Sequence, residues 1–332
     1  MRTLGSTSVL GKKSFEMDKS NLVSIICTVF NQEDYVLECL ESVANQDYDN
    51  FELIILENGS KDQSPFLVKS WIEQNDNLNI QTIFNSTAIS YCENFNKGLE
   101  LSKGKYVIDL SGDDLICPEH IKKSIIKLQK NSGAAFCFSD AWLFEVGKES
   151  KTFYQRTQKG KLIDRVQEGN LYTQIVAGNP ILSPTLVFDA AKLKAIGGYD
   201  EELSYEDFDV MVRLSRDYMV VFSDHVGIKK RIHSNSFSKN QYFPKASVML
   251  PSTLKICNKI KSLNENREED QALLKRVMYE TKHALWSANF GVAVGFLELA
   301  KSLSAKGVEY EFFRKWSKIK IDLSHFYILL KK

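Results

Sequence analysis

Four short apolar runs, each closed by a polar turn and followed by an amphipathic stretch, constrain this chain more than any other feature. The runs are Leu22-Val-Ser-Ile-Ile-Cys-Thr28, Phe51-Glu-Leu-Ile-Ile-Leu56, Asn79-Ile-Gln-Thr-Ile-Phe84 and Lys105-Tyr-Val-Ile-Asp-Leu110. Nearly continuous apolar runs of this length read as strands covered on both faces. The first intervening stretch places Val36, Leu37, Leu40 and Val43 on one helical stripe. A second ends near Trp71-Ile72, and a third spans about Tyr91 to Ser102. Strand and helix alternating with short links predict an α/β fold: a mostly parallel sheet flanked by helices. Further strands are expected over Pro184–Phe188, Tyr218–Phe222 and Gly227–Ile232, with a helix over Tyr205–Arg216. From about Lys245 the pattern is helical to the end. Three parts are expected: a disordered lead-in over 1–20, an α/β domain over 21–242, and a helical C-terminal region over 243–332.

Open α/β sheets bind ligands beyond the carboxyl ends of their strands. The fourth run breaks at Ser111-Gly112 and is followed at once by Asp113 and Asp114. Pro118 then stands where the helix His120–Leu128 takes its first turn. Hard carboxylate oxygens suit Mn²⁺ or Mg²⁺, and such an ion commonly bridges to phosphates. The plainer reading is an Asp-rich turn that only ends a strand.

The net charge of +1 gives no overall field to attract nucleic acid. Six cysteines without a CxxC pair or a histidine cluster read as reduced, buried residues of a cytoplasmic protein. No apolar run approaches the roughly 20 residues of a membrane span, and the start lacks a signal-peptide core. A dinucleotide-dependent oxidoreductase is excluded because no GxGxxG follows the first strand.

Five pieces in order resemble the family 2 glycosyltransferases of bacterial surface-glycan type. They are Val23-Ser-Ile-Ile-Cys-Thr-Val-Phe-Asn31, Leu56-Glu-Asn-Gly-Ser-Lys-Asp62, Leu110-Ser-Gly-Asp-Asp114, Gly197-Gly-Tyr-Asp200 with Tyr205-Glu-Asp-Phe-Asp-Val-Met-Val-Arg213, and Arg231-Ile-His-Ser-Asn-Ser236. The resemblance covers roughly Leu22 to Lys239 and implies the GT-A fold, a Rossmann-like sheet. It also implies a metal-dependent, inverting transfer from a nucleoside diphosphate sugar, UDP by default, to a hydroxyl of a glycan or lipid-linked acceptor.

Roles follow residue by residue. The resemblance makes Asp113 the principal metal ligand, with Asp114 as neighbour and His233 as a ligand or phosphate contact. It places Thr28, Phe30, Asn31, Glu57, Asp62, Asn96, Asp113 and Arg231 around the nucleotide. Phe30 packs near the base or belongs to the core, and Asp62 touches the nucleoside or caps the next helix. Asp207 is the general base and Glu206 positions an acceptor group; alternatively both merely favour a helix N-terminus. Arg231 and His233 belong to a lid that closes over the diphosphate. Asn179-Pro180 and Ser183-Pro184 fall on the donor-sugar and acceptor side. Two departures stand out. Ser111 replaces the first acid of the L-D-S-D-D pattern, and Phe95 replaces an arginine of the A-R-N-x-G block. They motivate the alternative of a catalytically impaired glycan- or partner-binding protein.

The last segment, Phe312 to Lys332, is basic, aromatic and apolar together. It is either an interfacial helix on an anionic membrane, making the protein peripheral at the inner face, or a helix docked on its own domain or a second subunit of a homodimer.

Overall fold

A computed structural model describes residues 20–330 except 146, 179, 234 and 235. All but the last residue of the expected lead-in, and Asn179, therefore lie outside the described residues. The strands are β1 (Val23–Val29), β2 (Phe51–Glu57), β3 (Ile80–Phe84), β4 (Tyr106–Ser111), β5 (Leu115–Ile116), β6 (Ala134–Phe144), β7 (Lys151–Thr152), β8 (Val187–Asp189) and β9 (Met219–Arg231). Seven helices accompany the sheet: α1 (Val36–Ala44), α2 (Ser64–Gln74), α3 (Tyr91–Leu101), α4 (His120–Gln129), α5 (Tyr172–Gly178), α6 (Ala190–Ala195) and α7 (Glu206–Asp217). Five more follow: α8 (Met249–Leu263), α9 (Arg267–Trp286), α10 (Phe290–Ser302), α11 (Val308–Ile319) and α12 (Ser324–Leu330).

The strands form one sheet in the order β3-β2-β1-β4-β8-β6-β9-β5, with β7 paired to β6. β1 to β4 run parallel, as the repeated strand–helix pattern requires. Their register sets the site: Thr28 lies opposite both Leu56 and Ser111, and Val29 lies opposite Glu57. The second half is mixed. β8 pairs antiparallel with β4 and β6, while β9 runs parallel to β6.

Three local expectations change. The two strands expected over Tyr218–Phe222 and Gly227–Ile232 are one strand, β9. Ser223-Asp224-His225 passes as a bulge where the β6 register shifts between Phe138 and Asp140, so the polar residues do not end the strand. Pro184 lies in a 3-10 turn (Ser183–Thr185), and only Val187–Asp189 is strand, since proline lacks the donor a ladder needs. Pro118 precedes the N-cap Glu119 rather than entering α4.

Alternation along the strands divides the core between the two faces. Ile25, Cys27, Ile55 and Ile108 pack with α1, α2 and α4 through Leu40, Trp71 and Ile125. Ile26, Ile54 and Val107 join the other cluster, which takes in Phe95, Phe208, Ile256, Leu273, Phe296 and Trp316. The C-terminal helices thus share a core with the base of the sheet.

Gly59 closes the turn after β2 with φ +69°, and a Cβ there would meet the Thr87 carbonyl carbon at 2.7 Å. Gly59→Ala is therefore expected to lower stability by about 1–3 kcal/mol, read as a shift of the urea midpoint at unchanged slope.

Candidate active site

The carboxyl ends of β1, β2 and β4 lie side by side, and the turn after β4 is held down by a Gly112 N–H donating to the Thr28 carbonyl at 2.9 Å. The two acids that follow are set in different surroundings. Asp114 is 2% exposed. Its Oδ1 accepts from the Arg231 N–H at 2.8 Å, and its Oδ2 stands 3.9 Å from Lys230 Nζ. Burial pushes its carboxyl up to about 6, against the pull of Lys230. Asp113 is presented instead of buried. Ser111 Oγ donates to its Oδ1 at 2.5 Å, and His233 Nε2 lies 2.8 Å from its Oδ2. The serine in the place of an acid is thus wired to the remaining one, and Gln32 Nε2 donates to that serine at 3.3 Å.

A second acidic group stands at the start of α7. Glu206 and Asp207 open α7. Burial raises both carboxyls, and Glu206 reaches about 8, with the charges of Asp207 and Asp109 adding to the effect of burial. The Phe208 N–H and Ser183 both donate to Asp207. Asp109, from β4, accepts from Tyr91 Oη at 2.7 Å and Tyr199 Oη at 2.8 Å. Burial lifts Asp109 to about 6, opposed by the two tyrosines and aided by Asp207. The ammonium of Lys230 acts on Asp114 and on Asp207 alike, drawing both downward.

Helix α7 is braced from two sides. Arg213 pairs with Asp209 at 2.6 Å and donates to the carbonyls of Ile196 and Gly198, each at 2.7 Å, which fixes the Gly197-Gly198 turn. From α9, Arg276 lies over the Phe208 ring at 4.4 Å and pairs with Glu280 at 2.8 Å.

The remaining candidates take varied positions. Phe30 is 46% exposed at the end of β1, outside the core. Asn31, at φ 50°, accepts from the Lys61 N–H at 2.8 Å, tying the first turn to the second. Thr28 is buried and hydrogen-bonds the Tyr91 side chain. Glu57 is buried and accepts from the N–H groups of Gly59 and Ser60. Asp62 accepts from the Ser64 N–H at the start of α2 and from the Glu33 N–H, each at 3.0 Å. Asn96 accepts from the Tyr199 N–H and donates to the Tyr199 carbonyl, both at 2.9 Å. Arg231 is sandwiched between Tyr35 and Phe144, each ring at 4.7 Å, and reaches Glu38 at 2.5 Å. Phe95 is buried and stacked on Tyr199 at 4.2 Å. Asp109, Tyr91, Tyr199, Lys230 and Glu38 were not foreseen. An acid inside the apolar run of β4, on the same strand face as Ser111, was the available signal for Asp109.

Among the described residues, no group of three or more His, Cys, Asp or Glu side chains gathers that could hold a metal ion. Asp113 and His233 supply one carboxylate oxygen and one imidazole nitrogen. That pair fits Mn²⁺ or Mg²⁺ with its remaining positions taken by phosphate oxygens and water.

Comparison with known proteins bears on the family and the fold. The profile of the family described as "Glycosyl transferase family 2" matches residues 24–178. The chain is similar to an uncharacterized glycosyltransferase of Rickettsia typhi, 30% identical over 223 residues, covering 64% of this chain and 65% of that one. A relative from Rickettsia prowazekii is 30% identical over 224 residues, with 65% of each chain covered. The matched part thus spans just under two thirds of the length of these curated relatives. Among solved structures, TarS 1–349 of S. aureus in complex with UDP-GlcNAc shares the fold, with TM-score 0.69 at 18% identity over 92% of this chain and 91% of that one. A mannosyltransferase of Pyrobaculum calidifontis in complex with GDP-Man and Mn²⁺ follows at TM-score 0.59 and 14% identity, covering 90% and 83%.

Proposed function

The chain belongs to the family 2 glycosyltransferases and has their GT-A fold, and on that premise we propose that it transfers a sugar from a nucleoside diphosphate, UDP by default, to a hydroxyl of a glycan or lipid-linked acceptor, with inversion. The observation that supports this reading is the buried group of Asp109 with Glu206 and Asp207, Asp109 lying on the strand whose end carries Asp113 and Asp114.

The acceptor hydroxyl loses its proton to Asp207 as its oxygen attacks the anomeric carbon. The bond from that carbon to the diphosphate breaks on the opposite face, which inverts the centre. Two raised carboxyls side by side hold one proton between them near neutrality. Glu206, raised to about 8, keeps its proton and donates to an acceptor oxygen, while Asp207 serves as the base. Asp109 fixes Tyr91 and Tyr199 and so shapes the wall beside Glu206. Asp113 and His233 would hold a divalent cation, which supplies neutralisation of the charge growing on the diphosphate. Asp114 holds β9 to the metal-side turn. Phe30 lies flat-exposed for the base, with Asn31, Glu57 and Asp62 shaping the turns around it. Buried reduced cysteines fit a cytoplasmic setting.

The test is a thermal-shift screen of nucleoside diphosphates with Mn²⁺, followed by a transfer assay with the sugar nucleotide of the best ligand. One diphosphate should stabilise the fold well above the rest. No diphosphate shift and no transfer would leave only a binding scaffold, the reading that Ser111 and Phe95 suggest.

The raised Glu206 carboxyl also has a stability consequence. The folded chain holds this proton to higher pH than the unfolded chain, so its contribution is full below about 4.5 and is lost as pH rises through about 8. Glu206→Gln is expected to be more stable than wild type at pH 8, by about 1–2 kcal/mol, and equal to it near pH 4. Thermal unfolding at the two pH values reads the difference.

A further inference from the structure

We infer that the outer face of α11 and α12 is a docking surface for an anionic lipid bilayer. α11 carries two apolar stripes rather than one. Tyr310, Phe313 and Trp316 are buried against the helices beneath. Val308, Phe312 and Ile319 recur at i, i+4 and i+11 on the adjoining outer face and are 88%, 56% and 68% exposed. The following turn and α12 extend this face with Ile321, Phe326 and Leu329, each more than half exposed. A helix apolar on two sides, with one side uncovered, lacks a partner for the second.

The charges around this face select the partner. Lys315, Lys318 and Lys320 are exposed, and none forms an ion pair among the described residues. Of the acids nearby, Glu311 pairs with Arg314 at 2.6 Å and Asp322 with Lys245 at 2.8 Å, which leaves the exposed Glu309 of α11 outnumbered by the three lysines. Exposed apolar side chains ringed by unpaired lysines fit a surface that is negative outside and apolar beneath, as an anionic bilayer is. A second copy of this chain would bring lysines against lysines. No helix among the described residues is long and apolar enough to cross a membrane, so the contact is interfacial.

The placement also joins this face to the cleft. The segment leading from His233 to α8 rests on the tail: Tyr242 stacks on His283 at 4.8 Å, and His283 Nδ1 meets Tyr327 Oη at 2.6 Å. Phe243 and Val248, in the same segment, are 52% and 54% exposed, and the Val248 carbonyl accepts from Ser204 Oγ just before the base helix. Docking would thus bring the bilayer to the mouth of the site. This deepens the proposed transfer toward a lipid-linked acceptor and rests on it for that acceptor; the binding itself does not.

The test is flotation of the full-length chain with phosphatidylglycerol–phosphatidylcholine vesicles against pure phosphatidylcholine, in low and high salt. Binding is expected to the anionic vesicles only and to weaken with salt. The triple variant Lys315→Glu/Lys318→Glu/Lys320→Glu should partition about a hundredfold more weakly. Phe312→Ser/Ile319→Ser/Phe326→Ser should also lose binding, with the melting temperature of each kept. Equal binding to both vesicles, binding unchanged in the variants, or a dimer by sedimentation that dissociates in the serine variant would overturn the inference. A chain that floats yet transfers no sugar would refute the enzymatic reading alone.

Discussion

Asp207→Asn is expected to slow sugar transfer by about a thousandfold, the scale of a lost general base, while nucleotide affinity stays within about twofold. The amide keeps the shape and the Phe208 N–H donation but cannot take the acceptor proton. The pH profile gives a second readout. Because burial raises the Asp207 carboxyl, the wild-type rate should climb as pH rises through its ionisation, then fall as Glu206 loses its proton near 8. The asparagine variant should lose the rising limb. Transfer at the wild-type rate by Asp207→Asn would move the base elsewhere, with Glu206 or Asp109 next in line.

The second large effect belongs to the other side of the cleft. Asp113→Asn should reduce transfer about a hundredfold or more and raise the Mn²⁺ concentration needed for half-maximal rate. His233→Ala should act in the same direction and less strongly, because the imidazole approaches Asp113 from a segment outside the sheet. Ser111→Ala separates two views of the departure at that position. If the hydroxyl orients Asp113 through its 2.5 Å hydrogen bond, metal affinity falls several-fold. An unchanged Mn²⁺ dependence would mean the serine only fills space. A half-maximal Mn²⁺ concentration in Asp113→Asn unchanged from wild type would remove the metal role from this acid.

What could be read in the chain beforehand was whatever depends on local pattern. The parallel half of the sheet, the helices between its strands and the acids at strand ends follow from periodicity and turn chemistry within short windows. The two acidic groups could be named because each follows a legible boundary, Ser111-Gly112 in one case and the start of α7 in the other. The network between them could not. Tyr91, Asp109 and Tyr199 come from three elements, and their hydrogen bonds exist only once α3 and the Gly197-Gly198 turn are folded onto β4. Asp114 was expected beside Asp113 as the lesser partner at the metal, and only the pairing of β9 with β5 shows that it is buried under Arg231 while Asp113 is not. Asp62 could be read as a nucleoside contact or a helix cap, and it accepts from the Ser64 N–H at the start of α2, while Asn96 also holds the Tyr199 backbone, a contact no local pattern announces. The continuous β9 was hidden for a related reason, since a bulge looks like a break in any single strand.

The guanidinium of Arg276, laid across the ring of Phe208, bears on how this protein can be rebuilt. Grafting the C-terminal helices of a relative onto this sheet would remove Arg276 and Glu280 together, and with them the face against which α7 rests at Phe208. Specificity chimeras should therefore exchange Phe208, Arg276 and Glu280 as one unit, because a junction drawn between the sheet and the helices would separate the ring from the pair packed on it.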